Sequence, residues 1–207
     1  MRIAVLVYGR LNNCVKHYEN IVESIGRYND IDFFLSSDNS SELLFNDFIN
    51  LYKPKLYNND TIKYEYDLGK YQGKRGETNI HNMTCHFINK NRVFLLLEEY
   101  KNKYNIHYDC VLSLRIDIVF LNNFIFNNLE DNTIYIPHGN DFLDNAINDQ
   151  VAYGNIDVMK KYNSINPVDL LEKNLCIPHP ESLNYANIIF HKLQIKRVDV
   201  KHNLDKF

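Results

Sequence analysis

The sequence predicts an α/β fold in which a twisted, largely parallel β-sheet carries helices on both faces. A short, continuous apolar run, typical of a buried parallel strand, occurs at residues 3–7, and the even positions from 112 to 120 form an unbroken apolar face. Predicted strands and helices alternate along the N-terminal half of the chain, which is the alternation of a parallel sheet. The chain has 207 residues, of which 45% are hydrophobic and 24% charged, enough for one globular domain with a sizeable core. We therefore expect residues 1–207 to form a single domain, either alone or within a longer protein.

The first predicted strand, residues 3–7, leads through Tyr8-Gly9-Arg10 into a helix that ends at about residue 25. A strand, a glycine loop and a helix together form a common nucleotide-binding arrangement, as in Rossmann-like folds, and this marks Tyr8, Gly9 and Arg10 as candidate contacts. One glycine is not the G-x-G-x-x-G fingerprint, and G-x-x-x-x-G-K-[ST] is absent from the sequence. These patterns argue against NAD-type dehydrogenases and P-loop enzymes.

The second predicted strand, residues 31–35, ends in Ser36-Ser37-Asp38. A carboxylate at the end of a second strand can bind ribose hydroxyls, so Ser36 and Asp38 are candidate nucleotide contacts. Asp38 can equally cap the helix predicted from about residue 41 to residue 51. The sequence favours neither role.

A glycine-rich segment, residues 67–79, follows a weak strand pattern at residues 62–66. It contains Lys70, Lys74 and Arg75, and one interpretation is a lid in which these cations contact phosphate. The alternative is a solvated surface loop, which is the commoner fate of such a segment.

The longest predicted helix, residues 80–103, carries Asn82, His86 and Lys90 at positions i, i+4 and i+8. Side chains with this spacing lie along one side of a helix. Such a stripe is usually a solvent-exposed face. Because this helix leads directly into the strand at residues 108–120, His86 and Lys90 are also candidate donor-binding residues.

The run at residues 108–120, YDCVLSLRIDIVF, is predicted to be a buried strand that ends in a charged pair. Arg115 and Asp117 project to the same side of a strand with a side-chain period of two. Ligands of open α/β sheets bind in the crevice outside the carboxyl ends of the strands. The pair is therefore either a ligand-binding site or an Arg-x-Asp contact that only closes the strand end.

The C-terminal half alternates short strands, polar loops and capped helices. Strands are predicted at residues 133–137, 151–154 and 197–201. Helices are predicted from the cap Asn155 through residue 162, from Asn166-Pro167 onward, and at residues 182–193. The loop at residues 138–150 contains Asp144 and Asp149. Glu181 precedes the last helix.

The net charge of −3 argues against a general nucleic-acid-binding protein. The four cysteines are far apart without a C-x-x-C pair, which predicts reduced thiols and no structural zinc site. The N-terminal run is too short for a signal peptide, and no apolar run approaches the roughly 20 residues of a membrane helix. We expect a soluble, cytoplasmic protein without a membrane span.

Four motifs together resemble a known family. They are Y-G-R after the first strand, Y-D-x-V-L-x-x-R-x-D ending at Asp117, N-D-Q-x-A-Y-G at residues 148–154 and H-P-E at residues 179–181. The pattern resembles the small GT-A-fold glycosyltransferases that use nucleotide sugars. More narrowly, it is similar to chlorella-virus enzymes that build capsid-protein glycans, which implies a location in the host cytosol.

The resemblance implies a metal-dependent transfer of a sugar, most often from a UDP-linked donor, to a glycan or glycoprotein acceptor. In that fold a D-x-D motif at a strand end holds Mn2+ or Mg2+ on the donor diphosphate, and hard oxygen ligands suit both ions. Here the motif is Arg115-Ile116-Asp117, so Asp117 matches the metal-binding acid while Arg115 replaces the other. Arg115 is retained as a donor-binding candidate.

An inverting glycosyltransferase needs a carboxylate that accepts the proton of the acceptor hydroxyl. Asp149 is the first candidate, followed by Glu181 and Asp144, although Asp149 can also be a turn or capping residue. Two other functions stay open: a sugar-nucleotide-binding module without catalysis, which the altered D-x-D motif permits, and a sugar nucleotidyltransferase. The latter should carry a glycine-rich basic signature after the first strand, where only Gly9 and Arg10 stand.

Overall fold

The computed structural model describes residues 1–12, 14–38, 40–63, 71, 79–126, 128–139, 141, 145–173 and 175–205. The strands are Arg2–Tyr8 (β1), Asp30–Ser36 (β2), Leu56–Asn58 (β3), Cys110–Arg115 (β4), Ile118–Phe120 (β5), Thr133–Pro137 (β6), Val151–Gly154 (β7), Gln194–Val198 (β8) and His202–Leu204 (β9). The helices are Cys14–Ile25 (α1), Glu42–Tyr52 (α2), Ile80–Tyr104 (α3), Ile156–Asn163 (α4), Pro167–Glu172 (α5) and Pro180–Phe190 (α6).

The main sheet has seven strands in the order β3-β2-β1-β4-β7-β6-β8. β1 lies near its centre and pairs in parallel with β2 and β4, while β7 is antiparallel to both β4 and β6. The predicted α/β class with a mostly parallel, mixed sheet is confirmed. The parallel half places the carboxyl ends of β1, β2 and β4 at one edge, where ligands of such sheets bind.

Alternate side chains of β1 enter two cores on opposite faces of the sheet. Ile3, Val5 and Val7 pack in the core that contains α1 and α2 side chains. Ala4, Leu6 and Tyr8 pack in the core that contains α3 and α4 side chains. Successive side chains of β1 point to opposite faces of the sheet, and both sets are buried. Helices therefore cover both faces, as predicted.

The run predicted as one strand at residues 108–120 is divided by a turn. β4 ends at Arg115, Ile116 and Asp117 form the turn, and β5 pairs with β9 in a separate two-stranded sheet. An unbroken apolar face at the even positions made the two strands indistinguishable by pattern, because both bury those side chains. The turn brings Asp117 back beside Arg115.

Three other boundaries differ from the prediction. Of the strand predicted at residues 197–201, only residues 197 and 198 are in a strand, at the end of β8, and the next strand, β9, begins at His202 in a different sheet. Residues 62 and 63 are not in a strand, and the rest of the strand predicted at residues 62–66 lies outside the described residues. The final helix, α6, begins two residues earlier than predicted, with Pro180 in its first turn.

A buried acid, Asp32, joins β2 to the amino end of β1, far from the carboxyl edge of the sheet. Its Oδ2 accepts hydrogen bonds from Arg2 Nη2 at 2.7 Å and from the Tyr108 hydroxyl at 2.9 Å, and Lys55 Nζ lies 3.2 Å from Oδ1. Burial raises the pKa of Asp32, but the hydrogen bonds from Arg2, Tyr108 and Lys55 outweigh it and lower the pKa below its ordinary value of 3.8. The cluster therefore stabilises the ionised carboxylate.

Asp32→Asn should reduce the free energy of unfolding at pH 7 by about 1–3 kcal/mol, towards the lower end because solvent screens the half-exposed Arg2 and Lys55. Since the folded-state pKa is lowered, this stabilisation is complete above 3.8 and is lost as the pH falls through the lowered value. Urea denaturation between pH 7 and pH 3 measures both effects. Asp30→Asn, an exposed acid on the same strand, is the control, and equal stability of the two variants would contradict the prediction.

Within the described ranges, no helix is both long and apolar enough to cross a bilayer. The cysteines Cys14, Cys85, Cys110 and Cys176 are all free thiols, as their spacing predicted.

Candidate active site

Three strand ends meet side by side at the carboxyl edge of the sheet. In the strand registers, Tyr8 at the end of β1 is paired with Ser36 of β2 on one side and with Arg115 of β4 on the other. The Arg115 amide donates to the Gln150 carbonyl at 3.1 Å, which attaches the start of β7 to the same edge. The local pairing thus gathers polar residues from four separate sequence segments.

A cleft of about 730 Å³ opens at this edge and extends along the first half of α3. This size suits a ligand of small-molecule dimensions. The residues lining it are Tyr8, Gly9, Arg10, Asn12, Asp38, Asn79, His81, Asn82, Met83, Cys85, His86, Asn89, Arg115, Ile116, Asp117, Asp149, His179 and Pro180. Strand ends, the long helix and the loop before α6 all contribute.

Gly9 allows the chain to turn away from the sheet immediately after β1. Its φ of +102° lies in the region that side chains rarely adopt, and its amide donates to the Ser36 carbonyl at 3.1 Å. A Cβ on Gly9 would meet nothing within 4 Å. Backbone conformation, not lack of space, therefore favours glycine at this position in the cleft wall.

Arg115 and Asp117 bind each other across the turn that follows β4. Nε of Arg115 donates to Oδ1 of Asp117 at 3.0 Å, and Nη2 donates to Oδ2 at 2.6 Å. This two-bond geometry is the strongest form of guanidinium–carboxylate pair. Both side chains also line the cleft. The sequence offered an ion pair and a place at a ligand site as alternatives, and the structure shows an ion pair that lies in a cleft.

Asp149 lies at the buried end of the cleft and is held by residues from two elements. Its side chain is buried, and its backbone carbonyl accepts a hydrogen bond from the Tyr8 hydroxyl at 3.0 Å. His86 Nε2 lies 3.5 Å from Asp149 Oδ2, and the rings of Tyr8 and His86 are in edge contact. Burial lowers the pKa of His86 to about 4 against the attraction of Asp149, so the imidazole is neutral at pH 7.

Lys90 is fully buried one helical turn beyond His86 and does not reach the cleft wall. Its Nζ donates to Asn184 Oδ1 at 3.0 Å and lies 3.4 Å from the centre of the Tyr162 ring. Burial lowers the pKa of Lys90 well below its ordinary value, opposed by attraction to Asp149. The Asn184 amide donates to the carbonyl of Asn148 at 3.2 Å, immediately before Asp149. A buried network therefore connects α3 and α6 to the segment that holds Asp149.

The helix-cap role considered for Asp38 is wrong. Ser41 caps α2 by accepting from the Leu44 amide, whereas Asp38 Oδ1 accepts from the Ile62 amide at 2.8 Å and lines the cleft. Ser36 is buried behind the wall, where its hydroxyl donates to Asn89 Oδ1 at 2.8 Å. The interpretation of Asn82, His86 and Lys90 as a solvent-exposed stripe is also wrong for His86 and Lys90, since the stripe turns towards the cleft and the core.

The cleft brings together most of the residues selected from the sequence. Six candidate donor-binding residues, together with Asp117 and Asp149, line it: Tyr8, Gly9, Arg10, Asp38, His86 and Arg115. Ser36 and Lys90 lie behind its wall. Glu181 is buried in the first turn of α6 and is outside the lining set, so its catalytic role stays a prediction. Arg75, Lys70, Lys74 and Asp144 lie outside the described residues.

Sequence reasoning missed the residues that support Asp149 from behind. Tyr162, Asn184 and Asn148 are fully buried polar residues on α4, α6 and the loop before β7. In the sequence, each is an ordinary helix or loop residue, and no local pattern marks it as functional. The N-D-Q motif was the one signal that pointed to this segment, through Asp149.

The divalent metal implied by the family resemblance does not fit the donor set of this cleft. Among the described residues, no three His, Cys, Asp or Glu side chains are placed to hold one ion. More directly, both oxygens of the Asp117 carboxylate are hydrogen-bonded to the Arg115 guanidinium. A cation at Asp117 would need these oxygens and would lie beside a fixed positive charge.

The sheet order, the flanking helices and the cleft at the carboxyl edge define a GT-A-type fold, the fold of many glycosyltransferases. The galactosyltransferase LgtC, solved in complex with donor and acceptor sugar analogues, matches with a TM-score of 0.56 and 14% identity over 94% of this chain and 72% of LgtC. An active-site mutant of LgtC matches with a TM-score of 0.53 and 13% identity over the same shares, 94% and 72%. At such low identity the likeness establishes the fold.

No protein-family model and no curated protein sequence matches this chain. The predicted GT-A-type fold is confirmed. The narrower resemblance to chlorella-virus enzymes stays a prediction.

Proposed function

We propose that the protein is a glycosyltransferase that moves a sugar from a nucleotide-sugar donor, UDP-linked by family resemblance, to a glycan acceptor. The observation that carries the proposal is the combination of charges in one cleft. Arg10 and Arg115 supply cations, and the buried Asp149 supplies a carboxylate, at the carboxyl edge of a GT-A-type sheet. The similarity to a galactosyltransferase solved with sugar analogues supports the same class of reaction.

The chemistry of sugar transfer matches this distribution of charges. In an inverting transfer, the acceptor oxygen bonds to the anomeric carbon while the bond from that carbon to the phosphate oxygen breaks. The electron pair of the broken bond passes to the phosphate, where cations offset the developing charge. The proton of the acceptor hydroxyl passes to Asp149, which acts as general base. No step is assigned to a metal ion, because the donor set does not fit one.

The other candidate residues have matching roles in the proposal. Tyr8, Gly9 and Asp38 form the wall where the nucleotide would lie, with Asp38 available to ribose hydroxyls. Arg75 would contact the donor phosphates from the glycine-rich segment. Residues 1–207 act as one catalytic domain, and a viral capsid glycan, suggested by the family resemblance alone, is the acceptor to test first.

Binding of a nucleotide is the first measurable consequence. A nucleoside diphosphate present at about a hundredfold excess over its Kd should stabilise the folded protein by about 2.7 kcal/mol and raise Tm by about 5–10 °C. Thermal denaturation with UDP, GDP, ADP and CMP, in parallel with NAD and S-adenosylmethionine as controls, measures this shift. A protein that responds to none of the nucleoside phosphates is not a nucleotide-sugar enzyme.

A binding module without catalysis is the second candidate function. The observation favouring it is that arginine stands at the first acidic position of the D-x-D motif and is bonded to the remaining acid. A transfer assay separates the two functions. A protein that binds nucleotide sugars but neither transfers the sugar nor hydrolyses the donor would be a binding module.

A further inference from the structure

The turn after β4 carries a cation where the fold's usual motif carries an acid. Two carboxylates and one divalent metal have no net charge together. Arg115 and Asp117, joined by hydrogen bonds of 3.0 and 2.6 Å, also have no net charge together. The charge that a metal would balance is therefore already balanced by a side chain.

Adding a divalent ion would disturb this balance. The ion would compete with the guanidinium for the same two oxygens of Asp117, and a guanidinium offers no acceptor atom to a metal. If both cations remained, one carboxylate would face three positive charges in a partly buried turn, where like charges repel more strongly than in water. The Arg115 side chain is only 31% exposed, which limits its escape into solvent.

We propose that Arg115 takes the place of the divalent metal, so that the enzyme binds the donor diphosphate and transfers the sugar without a metal ion. This inference rests on the proposed glycosyltransferase function. Asp117 is then a positioning residue that orients the guanidinium, and it is not a metal ligand.

The geometry leaves Arg115 free to act on phosphate. The pair with Asp117 uses Nε–H and one N–H of Nη2. Both N–H groups of Nη1 and the second one of Nη2 are outside this pair and suit phosphate oxygens in a planar, two-point contact. As the bond to the sugar breaks and its electron pair passes to the phosphate oxygen, these N–H groups stabilise the new charge. Arginine keeps its proton throughout, so the nucleoside diphosphate leaves as the anion.

Arg10 adds a second cation on the same cleft. Its Nη2 donates to a neutral partner, Asn82 Oδ1, at 3.3 Å. Diphosphate oxygens can replace this weak contact without breaking an ion pair. Since Asp117 balances the charge of Arg115, Arg10 gives these three side chains a net positive charge towards the diphosphate.

The wild-type protein provides the first test. UDP affinity, measured by calorimetry in EDTA and again in Mn2+, should agree within about threefold, and transfer from a UDP-sugar should persist in EDTA. Binding or transfer that needs Mn2+ or Mg2+ would overturn the inference while leaving the proposed function in place. If UDP and GDP bind neither with nor without metal, the proposed function itself fails.

Variants provide the second test. Arg115→Asp restores a D-x-D pattern, so metal-free UDP affinity should fall by about 10–100-fold, and Mn2+ should recover part of it. Arg27→Asp makes the same charge change on the surface after α1 and should alter neither value. Asp117→Asn keeps the guanidinium but loses the carboxylate that orients it, so metal-free UDP affinity should fall less than in Arg115→Asp, and Mn2+ should not change it. A metal ligand at this position would instead show a loss of Mn2+-dependent binding. Thermal denaturation without ligand checks that each variant is folded. The inference is contradicted if Arg115→Asp keeps the metal-free UDP affinity of the wild type and Mn2+ does not change that affinity.

Discussion

Replacing Asp149 by asparagine should lower the rate of sugar transfer by about 10²–10⁴-fold, the usual contribution of a general base. Asparagine preserves the shape of the side chain and leaves the backbone carbonyl that accepts the Tyr8 hydroxyl at 3.0 Å. The lost interaction belongs to the transition state, since the acceptor proton moves only there. Nucleotide affinity should therefore stay nearly unchanged while kcat falls.

Steady-state kinetics with a competent acceptor, together with calorimetric titration of UDP, measure both quantities. Asp109→Asn makes the same chemical change at the amino end of β4, where the carboxylate accepts from the Arg2 amide at 2.7 Å, and should leave transfer intact. Unchanged transfer in Asp149→Asn would exclude it as the base. Glu181 would then be the next residue to replace. It is buried in the first turn of α6 and does not line the cleft.

The sheet and its helices were predictable because local patterns and tertiary burial agree. β1 and β4 are apolar on both faces, and they are covered by helices on both sides. The helix N-caps could also be predicted. Asn155 and Asn166 cap α4 and α5, as their position before a helical pattern indicated. Such features need only a few neighbouring residues to be recognised.

The Arg115–Asp117 contact was only half predictable. A side-chain period of two places these residues on one side, and this was enough to mark the pair. The pattern could not show that a turn follows Arg115, because Ile116 and Ile118 continue the buried apolar face without interruption. Whether the pair closes the strand or lines a cleft depends on how the first half of α3 lies against the carboxyl edge of the sheet, which the local pattern does not show.

The support of Asp149 was not predictable from the sequence. Lys90 and Asn184 are 94 residues apart and meet because α3 and α6 both pack near the loop before β7. No local signal distinguishes Asn184 from an exposed asparagine in a helix. Buried polar networks of this kind require the tertiary structure to be recognised, since each member is satisfied by partners from other elements.

Replacing Lys90 by methionine should lower kcat by roughly 10–100-fold with little change in KM, the cost of a slight misplacement of reacting groups. Lys90 is not among the residues that line the cleft, so we expect it to act as a positioning residue. It hydrogen-bonds Asn184, whose amide holds the carbonyl of Asn148 beside Asp149. Lys103→Met, on the exposed last turn of the same helix, is the control and should retain full activity.

The same variant should change how stability depends on pH. Because burial places the folded-state pKa of Lys90 below the ordinary value of 10.5, the unfolded chain binds one proton more than the folded protein between those two values. The free energy of unfolding of the wild type should therefore rise with pH in that window by about 1.4 kcal/mol per pH unit more than that of Lys90→Met. Urea denaturation of both proteins at each pH measures the difference and cancels the contributions of buried tyrosines. Parallel pH profiles would mean that Lys90 is charged in the folded protein, and an unchanged kcat as well would remove its role in positioning Asp149.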